Sequence, residues 1–227
     1  MSLTRTPLLA SLCVAALACG TPNAHAQIEL ITNGGFETGD FTGFQQFGSS
    51  GMPTMTGVPG PSDQQAVVNT NPSSGMFAAE IVNDVAFSNS LIKANNLAEG
   101  QLTVGQTVEI SFDARGQYAV PGGVAFAEVI TEIAGGGGSS GTILGGAPLA
   151  ISSDPAEWTT FNFTYVIPNV DISGGLSLQL GATTGPGVST IMYYDNVSVM
   201  VSSLVPEPTS AALLSLAGIG VVLRRRR

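Results

Sequence analysis

The sequence predicts an all-β domain, an antiparallel β-sandwich, between two hydrophobic ends. Apolar and polar residues alternate along residues 107–114 and again along residues 158–166. Clusters of Gly, Pro, Asn and Ser separate such runs, as is typical of turns between strands. Helical periodicity is absent outside the first 26 and the last 23 residues. We therefore expect a signal peptide, an all-β domain and a single hydrophobic helix, in that order.

The strand pattern also predicts which side chains face the core. In residues 193–201, alternation turns Tyr193 and Asp195 inward and leaves Tyr194 exposed. The Gly- and Ser-rich segment 135–141 is predicted to be a loop, and nucleotide binding is not expected there, since the segment lacks the Gly-Lys-Ser/Thr ending of a phosphate-binding loop. Eight or more strands in one domain fit a two-sheet jelly roll. The predicted strands are 66–69, 77–82, 88–93, 107–114, 124–133, 158–166, 176–180 and 193–201.

The first 26 residues predict a signal peptide. A basic residue is followed by an apolar stretch and then by Ala24-His25-Ala26. Small residues at Ala24 and Ala26 form the small-x-small pattern of a secretory cleavage site, so the mature chain is expected to begin at Gln27. The alternative is a lipoprotein signal with Cys19 as the lipidated residue, although the usual leucine three positions before the cysteine is missing.

The last 23 residues have three parts, of which the first is Pro206-Glu207-Pro208. The second part, residues 209–223, is uncharged, and as a helix it would be about 22 Å long, shorter than the ~30 Å hydrocarbon core of a bilayer. The third part is basic and favours the cytoplasmic side of a membrane. It consists of Arg224, Arg225, Arg226 and Arg227.

This order of motif, short apolar run and basic end resembles the PEP-CTERM sorting signal of Gram-negative bacteria. The resemblance implies that exosortase, a membrane transpeptidase, cuts at the Pro-Glu-Pro triplet. It also implies a precursor anchored in the inner membrane and a product at the cell surface or in the extracellular matrix. An ordinary tail anchor is the alternative.

The chain thus divides into a signal peptide (1–26), a folded domain (27–204) and a sorting signal (205–227). Both cysteines and the only histidine lie in the signal peptide. The domain keeps Lys93 and Arg115 against fifteen acidic residues, a net charge of −13. Nucleic acid and anionic lipid are therefore poor partners, because both require a basic face.

Short motifs at the two ends of the domain support a second resemblance. The domain opens with Asn-Gly-Gly-Phe-Glu (33–37) and closes with Asp-Asn-Val (195–197), and its middle contains Ile-Ser-Phe-Asp (110–113). Together these motifs resemble the galactose-binding-like jelly rolls, which include carbohydrate-binding modules of the family 4/9/22 type. The resemblance implies that the opening and closing motifs come together in the fold.

The same resemblance implies a structural calcium ion. In those modules the opening glutamate and the closing aspartate chelate the ion, and the matching residues here are Glu37 and Asp195. Calcium binds six to eight oxygens, so a turn such as 73–75 is a plausible third contributor. The alternative is that Glu37 caps a turn and Asp195 bonds neighbouring backbone.

The residue inventory argues against catalysis. Without histidine or cysteine in residues 27–204, His-based triads, Cys nucleophiles and His-ligated zinc are excluded. A carboxylate pair, as in glycosidases, remains open. Glu109 and Asp113 share a strand face, but roughly 13 Å of strand separates them, which is too far for most such pairs. The domain is therefore predicted to be non-catalytic.

Two non-enzymatic functions remain. The main hypothesis is a structural surface or biofilm-matrix protein, because proteins with this sorting signal are associated with exopolysaccharide-producing bacteria. The alternative is a carbohydrate-binding module that recognises extracellular polysaccharide by stacking aromatic rings on sugars. The candidate stacking residues are Tyr118, Trp158 and Tyr194, each of which could instead pack within the protein.

Overall fold

Eleven strands form in the computed structural model, which describes residues 27–48, 63–118, 122–186 and 189–202. The described residues belong to one compact unit, Gln27–Val205. They contain no helix, and therefore none long and apolar enough to cross a membrane. The predicted signal peptide, with Cys19, and the predicted sorting signal lie outside the described residues.

The strands form two antiparallel sheets that face each other. The six-stranded sheet has the order β3-β4-β11-β6-β9, with β1 paired to the end of β11. The five-stranded sheet has the order β2-β5-β10-β7-β8. The strands are β1 Gln27–Glu29, β2 Gln45–Phe47, β3 Asp63–Val68, β4 Ala78–Asn83, β5 Ser88–Leu97, β6 Thr107–Tyr118, β7 Val124–Glu132, β8 Gly138–Ile143, β9 Thr159–Val166, β10 Gly175–Thr184 and β11 Thr190–Ser202.

The core lies between the sheets and confirms the predicted alternation of β6, β9 and β10. Buried leucines alternate along β10, and each contributes about 1.5–3 kcal/mol relative to an exposed position. On β9, Thr160, Asn162 and Thr164 are exposed as expected. The inward residues of the central strands are Val108, Ile110, Phe112, Ala114, Ala125, Ala127, Val129, Leu176, Leu178, Leu180, Met192, Val197, Val199 and Val201.

The expectation that Tyr194 is exposed is wrong. Tyr194 is fully buried, and its hydroxyl donates to the carbonyl of Gly181 at 2.9 Å. The cause is a β-bulge: β11 pairs with β6 in register up to Asp195 and resumes at Ser198, with one extra residue in β11. Strict alternation fails across a bulge, so Met192 and Tyr194 face inward before it, and Val197 faces inward after it.

The Gly-rich segment predicted as a loop contributes a strand instead. Gly138–Ile143 forms β8 at the edge of the five-stranded sheet, paired with β7. Glycine is unfavourable in strands, but Gly141 makes room here, because a Cβ on it would lie 2.4 Å from Oε1 of Glu128. Pairing with β7 thus overrides the local preference of the sequence.

Candidate functional site

The bulge in β11 provides a docking place for the opening motif. Asn196 has a left-handed φ of 51°, and the amide of Val197 donates to the carbonyl of Gly34 at 2.9 Å. A Cβ on Gly34 would lie 1.8 Å from the carbonyl oxygen of Val197, so only glycine permits this approach. The next anchor is Phe36, which is fully buried and packs against the ring of Phe44 at 5.1 Å. The two ends of the domain therefore meet.

Glu37 and Asp195 both hold the loop between β3 and β4, and we call its residues 70–77 the covering loop. The carboxylate of Glu37 accepts the amides of Met76 and Phe77 at 2.9–3.2 Å. One oxygen of Asp195 accepts the amides of Ser73 and Ser74 at 2.9 and 3.1 Å. The turn predicted as a third contributor thus lies between the two predicted ligands.

Asp113 also belongs to this site, although the sequence patterns did not identify it as a ligand. It lies opposite Asp195 across the β6–β11 pair and accepts hydroxyl groups of Ser73 and Thr160, both at 2.6 Å. Asn196 donates its side-chain amide to it at 2.7 Å. No sequence signal marks Asp113 as buried, because the covering loop that buries it is distant in sequence.

The two aspartates respond differently to their environment. Burial raises the pKa of Asp195, three backbone amides oppose this effect, and the charge of Asp113 adds to the increase. Burial also acts to raise the pKa of Asp113, but hydrogen bonds from Ser73, Thr160 and Asn196 outweigh it, so this pKa is lowered. Two carboxylates, 0% and 8% exposed, therefore face each other.

The chemistry of this site fits a hard cation. All side-chain donors are carboxylate, hydroxyl or amide oxygens, which calcium prefers. Among the described residues, neither Asp113 nor Asp195 forms an ion pair. Oδ1 of Asp195 and Oδ1 of Asp113 each accept one hydrogen bond and keep capacity for another ligand. The described side chains do not, however, include three acidic groups that converge on one point.

Trp158 lies on the outer face of the six-stranded sheet, where Arg115 stacks on it. The guanidinium carbon of Arg115 is 5.1 Å from the Trp158 ring and 3.7 Å from the Tyr193 ring. Burial and a hydrogen bond to Glu80 raise the pKa of Tyr193 to about 12. The indole donates to the carbonyl of Asn71, so Trp158 helps to hold the covering loop. Of the three predicted stacking residues, Trp158 is half-buried and Tyr194 is fully buried. The side chain of Tyr118 is not among the described side chains.

The outer face of the five-stranded sheet presents instead a row of four polar side chains that ends at the apolar Ile143 of the edge strand. Register places Gln45, Lys93, Gln179, Glu128 and Ile143 side by side, one from each strand. All five are exposed or half-buried. We call this set the polar row.

An apolar row lies next to the polar row. It consists of Phe47, Leu91, Gly181 and Phe126, which are in register on four neighbouring strands. Gly181 gives its neighbours space, because a Cβ on it would lie 2.6 Å from Leu91 and 2.8 Å from the Phe126 ring. The sequence did not indicate this surface, since its members are distant in sequence and unremarkable in type.

Lys93 is already neutralised within this face. Its ammonium group lies 2.7 Å from Glu132, which also accepts the hydroxyl of Ser177 at 2.7 Å. Burial acts to raise the pKa of Glu132, but the hydrogen bonds from Lys93 and Ser177, with the charge of Lys93, lower it. The side chains of Lys93 and Glu132 are 16% and 7% exposed, so the ion pair is largely withdrawn from solvent.

Solved structures share this architecture. Neither protein-family models nor curated proteins match the chain. The CBM22-1 xylan-binding domain of Paenibacillus barcinonensis Xyn10C is similar, with a TM-score of 0.52 and 12% identity over 79% of this chain and 98% of that domain. The Stig cyclase FisC from Fischerella sp. TAU, in complex with an indole compound, is also similar, with a TM-score of 0.52 and 14% identity over 78% of this chain and 98% of the cyclase.

A third similar structure is the enzymatically active domain of bacteriophage CBA120 tailspike protein 4. It has a TM-score of 0.50 and 9% identity, over 77% of this chain but only 21% of the tailspike chain. At these identities the comparisons show the fold alone. The domain is a jelly-roll β-sandwich of the kind found in carbohydrate-binding modules, as the sequence predicted.

Proposed function

We propose that the folded domain is a carbohydrate-binding module that recognises extracellular polysaccharide through the outer face of its five-stranded sheet. The observation that carries this proposal is the pair of rows on that face. Hydrogen-bonding side chains and apolar side chains lie in parallel across neighbouring strands. The fold, which is shared with a xylan-binding domain, supports the proposal.

The dimensions of the two rows suit a sugar chain. Strands lie about 4.8 Å apart, so a row across five strands extends about 19 Å, which is several sugar units. The amides of Gln45 and Gln179 and the carboxylate of Glu128 can bond sugar hydroxyls. In the apolar row, the half-buried side chains of Phe47 and Leu91 can contact the C–H faces of the same sugars, whereas Phe126 is only 7% exposed. A mixture of apolar surface and a few polar groups is typical of ligand sites.

The charge distribution favours an uncharged polysaccharide. The domain has only two cations, Lys93 and Arg115. Lys93 is paired with Glu132, and Arg115 is 6% exposed and donates to the carbonyls of Thr70 and Pro155. An acidic glycan would therefore meet a domain of net charge −13 without a free cation to receive it.

The test is affinity electrophoresis of the 27–204 domain in gels that contain xylan, β-1,4-galactan or alginate. We expect retention by a neutral polysaccharide and no retention by alginate. Replacement of Gln45 and Gln179 by alanine should weaken retention at least fivefold. The matched control replaces Asn162 and Thr164, exposed polar residues of the opposite sheet, and should bind like the wild type. Equal retention of both double variants would refute the proposed face.

We also propose that this module is non-catalytic, although an enzyme shares its fold. One sequence feature supports the view: residues 27–204 lack histidine and cysteine. Release of reducing sugar from the polysaccharide that the domain binds would contradict it. If no polysaccharide is retained, a structural role in the matrix becomes the better account.

Export and sorting form a separate proposal that the sequence supports. We infer that residues 1–26 direct export and that Pro206-Glu207-Pro208 is cut by exosortase, with delivery to the cell surface or matrix of a Gram-negative bacterium. The test is fractionation of cells that express the full chain. Replacing the triplet by three alanines should keep the protein in the inner membrane. Release of that variant at the wild-type rate would refute exosortase processing.

We propose, finally, that a calcium ion joins the opening and closing motifs. Glu37 and Asp195 would be its carboxylate ligands, and the two facing aspartates, which have no ion pair among the described residues, support a cation at this place. The ion would neutralise buried negative charge and tie the covering loop to the first and last strands.

A further inference from the structure

The loop between β4 and β5 is built on a buried amide. Asn83 is fully buried, and its side chain donates to the carbonyls of Ser88 and Ala182 at 3.0 and 3.1 Å. Its oxygen accepts the amide of Val85 and the hydroxyl of Ser88, at 3.1 and 3.0 Å. A buried side chain that makes four hydrogen bonds fixes the course of the loop around it.

At the end of this loop, Phe87 has an unfavourable backbone conformation, and its side chain does not pack on the core cluster. Its φ is 58°, a left-handed value that bulky residues rarely adopt. Its amide donates to the carbonyl of Thr184 at 2.7 Å, which holds that conformation. Its side chain is 84% exposed, the highest value for a large apolar residue among those described, and it is not part of the core cluster.

The position of Phe87 connects it to the proposed glycan face. It directly precedes β5, and its amide donates a hydrogen bond to Thr184, the last residue of β10. Both strands carry residues of the polar row and of the apolar row. The register row nearest to it consists of Asn89, Thr183 and Val124, and the next row is the apolar row. The loop thus lies at the end of the face that is closest to the apolar row.

From this geometry we propose that Phe87 is a ligand-contacting residue at the rim of the glycan face, where its ring stacks on a sugar unit. This inference rests on the proposed polysaccharide-binding function. A glycine would relieve the left-handed φ, so the phenylalanine is better explained by an external contact than by stability. A sugar is the favoured occupant, because aromatic rings stack on the C–H faces of sugars and the acidic domain would repel an anionic membrane.

Two variants separate a binding role from a structural one. Phe87→Gly removes the ring and suits the left-handed backbone, so its melting temperature should stay within 2 °C of the wild type, on the order expected for a surface change. Its affinity for the retained neutral polysaccharide should fall about tenfold. Phe87→Trp should keep at least wild-type affinity. Val166→Ala, which truncates an exposed apolar residue of the opposite sheet, is the matched control and should bind normally.

The outcomes distinguish this inference from the function on which it rests. If the wild type binds xylan or β-1,4-galactan and Phe87→Gly binds equally well, the stacking role is wrong, whereas the proposed function stands. If Phe87→Gly loses several degrees in melting temperature, the ring packs within the protein and the inference is also wrong. If neither xylan nor β-1,4-galactan retains the wild type or any variant, both proposals fail.

Discussion

Replacing Gly34 with alanine should separate the two ends of the domain. The added Cβ would lie 1.8 Å from the carbonyl oxygen of Val197, about 1.5 Å short of van der Waals contact. The backbone must move, which breaks the bond from the Val197 amide and loosens the packing of Phe36. Losing the hydrogen bond costs about 1 kcal/mol and partial loss of a buried aromatic costs about 1–3 kcal/mol. We expect a total of about 2–4 kcal/mol.

The assay is thermal unfolding of the 27–204 domain, followed by circular dichroism. For a domain of this size, each kcal/mol lowers the melting temperature by about 2–4 °C, so Gly34→Ala should lose about 5–15 °C. Gly35→Ala is the matched control, because its Cβ would make ordinary contacts at 3.6 and 3.8 Å. That variant should stay within about 2 °C of the wild type. Equal melting temperatures would refute the docking of the opening loop on the bulge.

Three further predictions concern the same site. Chelator should lower the melting temperature of the purified domain, and an unchanged value would make the calcium proposal wrong. Because the folded pKa of Asp113 is lowered, the stability that its carboxylate contributes is present above its unfolded pKa and lost as pH falls through the folded value. In Asp113→Asn, the free energy of unfolding, measured with urea, should therefore fall less steeply below about pH 4 than in the wild type. Glu99→Gln, which changes an exposed residue, is the control and should keep the wild-type pH dependence. Gly75→Ala should destabilise the domain by about 1–3 kcal/mol, because Gly75 has a left-handed φ of 61° and a Cβ on it would lie 2.1 Å from Oε1 of Glu37. An unchanged free energy of unfolding would contradict the contact between Glu37 and the covering loop.

The sequence predicts most of the core but not the bulge. In β6, β9 and β10, alternation alone identifies the inward residues, because the extra residues at the register shifts belong to the partner strands β11 and β5. In β11, the same reasoning fails between Tyr193 and Asp195. The extra residue at Asn196 leaves the apolar pattern apparently continuous, so only the pairing with β6 reveals the change of face.

The candidate sites depend on contacts that are distant in sequence. The resemblance identified Glu37 and Asp195 as a pair, and in the structure both accept hydrogen bonds from backbone amides of the covering loop. The resemblance could not reveal Asp113, whose burial depends on that loop. Nor could it identify the polar and apolar rows, because strand register decides which residues become neighbours. Phe87 was missed for another reason: a single exposed ring is visible only when its φ and its exposure are known.

Polysaccharide binding is tested most directly by amide chemical-shift mapping of the 27–204 domain, titrated with soluble xylan or β-1,4-galactan oligosaccharides. Binding on the five-stranded sheet should give shifts that saturate and concentrate on Leu91 and Lys93 of β5 and on Gln179 and Gly181 of β10. The amides of Asn162 and Thr164 on the opposite sheet should not shift. Shifts confined to the opposite sheet, or none with either sugar, would contradict polysaccharide binding by the five-stranded face.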